Sequence, residues 1–169
     1  RCLQRRPPIN VEIVETVHNT WKIFAPYHYL TSELHKAAKC YVLLCDDNPA
    51  SFAGLLHRPI SNKSKCHNHQ PIWGVSRLVT LPDYQGLGLA FVLVDFLGEF
   101  YAQHGQRVRT YPAHPILVKN FHKSRKWRCL KNYGVFRRPV RPHASLPHPV
   151  NMGGRSSAVF EYVSNGVDA

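Results

Sequence analysis

The chain has 169 residues, 44% of them hydrophobic, and a formal net charge of +12. That length supports one domain with a core of its own; no apolar run approaches the roughly 18 residues of a membrane-spanning helix, and the first residues read without the apolar h-region of a signal peptide. The five cysteines (Cys2, Cys40, Cys45, Cys66, Cys129) are odd in number and form no C-x-x-C pair, which sets the expectation of a reduced, cytoplasmic protein.

In chain order, Arg1 to Pro8 reads as a basic arm, residues 9–163 as a single domain and 164–169 as a tail. Ile9 to Thr16 has strand composition (β1). Val17 to Lys39 reads as two helical pieces, because Pro26 blocks a continuous helix and Thr31-Ser32-Glu33 offers a fresh N-cap. Cys40 to Cys45 (β2) and Ser51 to Leu56 (β3) are apolar strands joined by the turn signal Asp46-Asp47-Asn48-Pro49. Ser61 to Gln70 is a polar loop, and Ile72 to Leu81 is the next strand (β4). Gly88 to Gln103 repeats apolar residues at Leu89, Val92, Leu93, Phe96, Leu97 and Phe100, a helical period that His104-Gly105 ends. Arg107 to Tyr111 makes a short strand (β5), Pro115 to His122 a short helix, and Arg128 to Leu130 starts another strand (β6). Gly134 to Gly154, rich in Pro and His, is loop-like, and Ser157 to Val163 is a last strand (β7).

The stretch from Leu78 to Ala90 carries the chemistry. An apolar strand ends at Pro82-Asp83, a loop with Gly86 and Gly88 follows, and the amphipathic helix begins at once. Backbone N–H groups then converge beside a helix N-terminus, which suits a phosphate or pyrophosphate. Glycine matters there because a side chain would hold the ligand away from the backbone. No Lys-Ser or Lys-Thr follows, so this is not a P-loop. Phe91 stands at the third glycine of G-x-G-x-x-G, so it is not the dinucleotide fingerprint either.

The loop resembles the coenzyme A loop of the GNAT N-acetyltransferase superfamily, Q/R-x-x-G-x-G/A, with Gln85, Gly88 and Ala90 in the pattern and Gly86 where a second glycine is common. The order of strands and helices along nearly the whole chain resembles that family too. The resemblance implies an α/β (α+β) GNAT fold: a mixed, mostly antiparallel sheet of about seven strands with about four helices, β4 and β5 splayed. It also implies acetyl-CoA, or another acyl-CoA, lying in the splay. Pyrophosphate would meet Gln85, Gly86, Leu87, Gly88, Leu89 and Ala90, and the pantetheine arm would pair with the backbone of Leu78, Val79 and Thr80 like an added strand.

The catalytic end departs from the family. Many members carry a general-acid Tyr after β5, in a pattern like Y-x-K-x-G-F. The nearest match here is Phe121-His122-Lys123-Ser124-Arg125-Lys126-Trp127, whose Phe121 donates no proton, and β4 has no Asp or Glu to act as a base. Replacement candidates are Tyr29 and His28, in the stretch where the family forms its acceptor pocket, then His114 with Tyr111, at the end of β5.

Charge points to the acceptor. From Phe100 to Phe160 there is no Asp or Glu, while twelve Lys and Arg fall there; the remainder balances ten basic against ten acidic residues. Lys119, Lys123 and Lys126 recur at helical spacing, and with Arg125, Arg137 and Arg138 they would draw in DNA or RNA. The expectation is an acyl-CoA-dependent N-acyltransferase acting on an amine on or near a nucleic acid. Two alternatives stand beside it. One is a DNA base-modifying enzyme similar to the phage-associated Mom-type proteins; the other is a non-catalytic GNAT scaffold that binds nucleic acid or a partner. Cys66-His67-Asn68-His69, with His57, has ligand residue types but no second spaced pair, and reads as a polar loop rather than a metal site.

Overall fold

Two apolar faces on one strand set the architecture. In β2 (Lys39–Cys45) Tyr41, Leu43 and Cys45 point into one hydrophobic cluster, and Cys40 and Val42 into another on the opposite side. A strand covered on both faces must be apolar where it is covered, as this one is from Cys40 to Cys45. The computed structural model describes residues 9–28, 33–58, 71–132 and 157–163. It holds a seven-stranded sheet in the order β1-β2-β3-β4-β5-β7-β6. The strands are β1 Val11–Thr16, β2, β3 Asn48–Arg58, β4 Ile72–Thr80, β5 Arg107–Thr110, β6 Trp127–Lys131 and β7 Val159–Tyr162. All neighbours pair antiparallel except β4 and β5, which run parallel. The expected mixed, mostly antiparallel α/β fold is what the chain adopts.

Asp46 and Asp47 both take left-handed backbone (φ 46° and 66°), so β2 and β3 join through a two-residue turn with the twist a hairpin needs. In β4, Leu55 faces Val75 and Gly54 faces Arg77, which leaves Ser76 as the extra residue of a bulge; its hydroxyl donates to the Gly54 carbonyl at 2.8 Å.

Three helices are described: α1 Trp21–Phe24, α2 Leu89–Gln103 and α3 Pro115–Lys123. The two helical pieces expected between β1 and β2 are not both there. α1 is a single turn between 3₁₀ turns at His18–Thr20 and Ala25–Tyr27, and Pro26 sits in the second of these. Residues 33–38 form no helix, because the Ala37 N–H donates to the His35 ring (3.1 Å) and the Ala38 N–H to the His35 carbonyl (2.9 Å), which closes a turn instead. The expected cap residues Thr31 and Ser32 lie outside the described residues, as do the polar loop Ser61–Gln70 and most of 132–157.

α2 also turns a different face inward from the one its period suggests. Leu89, Leu93, Val94, Leu97, Gly98 and Tyr101 are buried, whereas Val92, Phe96 and Phe100 are 42%, 44% and 39% exposed. Gly98 decides the orientation: a Cβ there would stand 2.3 Å from Cδ2 of Tyr162, so the helix rests on β7 at its glycine. Trp21, Phe24 and Leu34 cover the opposite face of the sheet over β2, β3 and β4.

Candidate active site

β4 and β5 pair at only three positions, Ile72–Arg107, Trp73–Val108 and Gly74–Arg109. Beyond them β5 turns away at Tyr111-Pro112, while β4 runs on to Thr80 with its β3 side paired and its β5 side open. A groove of about 1270 Å³ fills the splay, walled by β4 from Val75 to Thr80, by Thr110 to Leu117, and at one end by the loop before α2.

That loop is shaped by two glycines. Gly86 and Gly88 have φ of +85° and +82°, and a Cβ on either would meet nothing within 4 Å. The space above them is therefore open for a ligand, and the left-handed backbone there suits glycine. Gly88 caps α2; the first backbone bonds run from the Phe91 and Val92 N–H groups to its carbonyl (3.0 and 3.2 Å). The amides from Gly86 to Ala90 therefore find no acceptor among the described residues, and they sit at the positive end of a 15-residue helix. Gln85 faces back, its amide donating to the Thr80 carbonyl at 3.1 Å, which ties the loop to the end of β4. The donors, the open glycine cradle and the free strand edge fit a pyrophosphate with an extended amide arm.

Of the residues expected to meet coenzyme A, Leu78, Val79, Thr80, Gln85, Gly86, Gly88, Leu89 and Ala90 line the groove, whereas the side chain of Leu87 points to solvent. Of the catalytic candidates, His28, Tyr111 and His114 line it as well; Tyr29 lies outside the described residues. His28 packs edge-on against Trp21 (5.6 Å). His114 caps α3, its Nδ1 accepting from the Ile116 N–H at 3.3 Å, so in this arrangement Nε2 is the nitrogen left for a ligand. Phe121, at the position of the family's acid, is fully buried against Phe91, Trp127 and Phe160, and is a core residue.

Sequence reasoning missed Arg58, Ser76, Tyr84 and Asn120, which also line the groove. Arg58 and Arg77 are its charged residues, and it has no Asp or Glu among its described walls. Arg77 is anchored on the Glu33 carbonyl (2.9 Å). On the outer surface, Lys119, Lys123 and Arg125 are exposed. Lys126 does not share their helix face as expected: α3 ends at Lys123, and Lys126 is drawn to Asp95 (3.1 Å) and Glu99 (3.4 Å) on α2. Arg137 and Arg138, like Cys66 to His69, are outside the described residues.

The family model for the acetyltransferase (GNAT) family matches residues 9–115, from the approach to β1 through the loop, α2 and β5. The chain belongs to the GNAT acetyltransferase family. Solved GNAT structures share its fold over almost all its length. An Arabidopsis thaliana Naa50 in complex with the bisubstrate analogue CoA-Ac-MVNAL superposes with a TM-score of 0.60 at 11% identity, over 91% of this chain and 99% of that one. A Bacillus subtilis acetyltransferase in complex with CoA gives 0.57 at 13% identity, over 92% and 98%. The ribosomal-protein-S18-alanine N-acetyltransferase of Escherichia coli gives 0.54 at 14% identity, over 95% and 100%. No curated protein matches the chain.

Proposed function

We propose that this GNAT protein is an acyl-CoA-dependent N-acyltransferase, with acetyl-CoA as donor, whose acceptor is an amine on or beside a nucleic acid. The observation that carries the reading is the continuous groove from the open edge of β4 to the unpaired amides of Gly86 to Ala90. Neighbours of the same fold crystallised with CoA support the choice of donor. The donor supplies a thioester, activated for attack by an amine.

The chain's own residues have four tasks. Gly86 to Ala90 hold the pyrophosphate, and the β4 edge from Leu78 to Thr80 holds the arm, which brings the thioester to the narrow end of the splay near Ser76. The bulge at Ser76 breaks the alternation of strand amides there, so that one is available to polarise the carbonyl. The amine nitrogen bonds to the carbonyl carbon as the C–S bond breaks, and the sulfur then takes up a proton. With Phe121 buried, the proton the sulfur takes comes from the phenol of Tyr111 or Tyr29 or the imidazole of His114, and the imidazole of His28 takes the one the amine loses. Lys119, Lys123 and Arg125, exposed and without a carboxylate partner among the described residues, support a polyanionic acceptor. The groove favours acyl transfer over a Mom-like base modification because its loop is built for an acyl-CoA.

Acetyl-CoA should raise Tm, and Gly88→Asp should abolish the shift, since a carboxylate would occupy the cradle at a left-handed position. An undiminished shift in the variant would sink the donor assignment. Incubation with labelled acetyl-CoA and DNA, RNA or protein separates catalysis from a non-catalytic scaffold, which would bind the donor and transfer no label.

A further inference from the structure

The groove's charge is one-sided. Nine of the chain's ten Asp and Glu residues, all but Asp168, are among the described residues, and none of the nine lines the groove. They stand on β1, in the β2–β3 turn, before β2, on the 3₁₀ turn at Pro82–Tyr84, on the outer side of α2 and on β7.

Arg58, the last residue of β3, enters the groove on the side away from α2. Its guanidinium carbon lies 5.4 Å from the ring centre of Tyr111. Gly74 makes that approach possible, because a Cβ there would fall 2.8 Å from Arg58 Nε and 3.2 Å from Tyr111 Cε2. The described residues give Arg58 no carboxylate and no hydrogen-bond acceptor. Gly74 pairs with Arg109, and behind it Arg109, Arg107 and Arg128 all converge on Glu161 (2.6, 2.9 and 3.5 Å). Three guanidiniums thus share one negative charge, and Arg58 adds a fourth cation beside them. Gly74 is six residues before Thr80 on β4, about 20 Å at strand rise, so this cluster is not the pyrophosphate loop.

We propose that Arg58 is a subsite for an anionic group of the acceptor, a phosphate or a carboxylate carried a few ångströms from the amine that is acylated. The inference rests on the acyltransferase reading of the same groove and names its acceptor class. A guanidinium seated over an aromatic ring keeps its in-plane N–H fork for a ligand, and that fork matches both anions bidentately. The excess charge behind it favours the anion. The same field, with no carboxylate in the walls, disfavours an acceptor that is only cationic, such as a polyamine.

The test uses the full chain saturated with CoA, so that the loop is filled, and titrates inorganic phosphate and, separately, acetate by calorimetry. Wild type should bind at least one of them. Arg58→Gln should weaken that binding about tenfold or more while leaving CoA affinity within about twofold, and Arg58→Lys should fall between. In acetyl transfer from acetyl-CoA, O-phosphoethanolamine or glycine should exceed ethanolamine and spermidine in kcat/KM, and the preference should collapse in Arg58→Gln. Preference for phosphoethanolamine assigns the site to phosphate, and preference for glycine to carboxylate. Equal anion binding by wild type and Arg58→Gln with CoA bound normally, or spermidine as the best acceptor, overturns the subsite. Failure of CoA to bind wild type would instead overturn the acyltransferase reading.

Discussion

Glu161, on β7, is only 4% exposed, yet it holds three arginines from two neighbouring strands. Burial pushes its carboxyl up, but the hydrogen bonds and charges of Arg109 and Arg107 outweigh that and hold it below the usual carboxylate range. The unfolded chain has the ordinary value, about 4.3. A depressed folded value means the ionised form stabilises the fold above the unfolded pKa, and this contribution is lost as pH falls through the folded one. Tm should therefore drop as the solution is taken from about pH 5 to below 4. Glu161→Gln should flatten that drop. At pH 7 the same variant should be less stable by about 3 kcal/mol, toward the low end for a broken buried pair, because the arginines are a quarter exposed and water screens them. Equal acid sensitivity in variant and wild type would show that Glu161 is not what acid titrates. The residue matters to the site because it fixes β5 against β7 at the root of the splay.

α2 offers two apolar ribs to a sheet that accepts one, and this marks where the sequence stopped being legible. Most strands could be read within a residue or two because apolar runs lie between turn signals such as Asp46-Asp47. But β3 starts three residues before its expected Ser51, with Asn48 and Pro49 of the expected turn already in the strand. The glycine loop could be read because its φ values demand glycine, and the missing acid because Phe121 speaks for itself. Which rib of α2 is buried could not, since the choice depends on Gly98 meeting Tyr162 across the core. The second helical piece before β2 was equally hidden, its amides being taken by His35. Arg58 over Tyr111 needs the β3–β4 register and the hole at Gly74, neither of which periodicity contains. The rib assignment is testable by contrast. Leu97→Ala should cost about 2–5 kcal/mol by opening a cavity, whereas Phe96→Lys, a larger chemical change on the outer rib, should stay within about 1 kcal/mol of wild type. Comparable losses in chemical denaturation would reverse the assignment.

For the molecule as a whole, charge is divided as sharply as the sheet. All of the excess charge of +12 arises between Phe100 and Phe160, yet the cations in that span differ in what they can do. Arg107, Arg109 and Arg128 are committed to Glu161, and Lys126 to Asp95 and Glu99. Lys119, Lys123 and Arg125 face water with no such tie among the described residues. If nucleic acid is the carrier of the acceptor, these three release counterions on binding, and each contributes about 0.9 to the slope of log K against log salt for a duplex. Affinity for duplex DNA should thus fall steeply between low and physiological salt. Exchanging Lys119, Lys123 and Arg125 together for Gln should make the slope shallower by about 2.7. Lys126→Gln should change the slope by far less, because Lys126 is already neutralised by Asp95 and Glu99 and is not free to replace a counterion on a phosphate. A salt-independent affinity would remove the nucleic-acid carrier and leave the Arg58 subsite to a small acceptor, since a single guanidinium inside a groove binds an anion by geometry more than by long-range field.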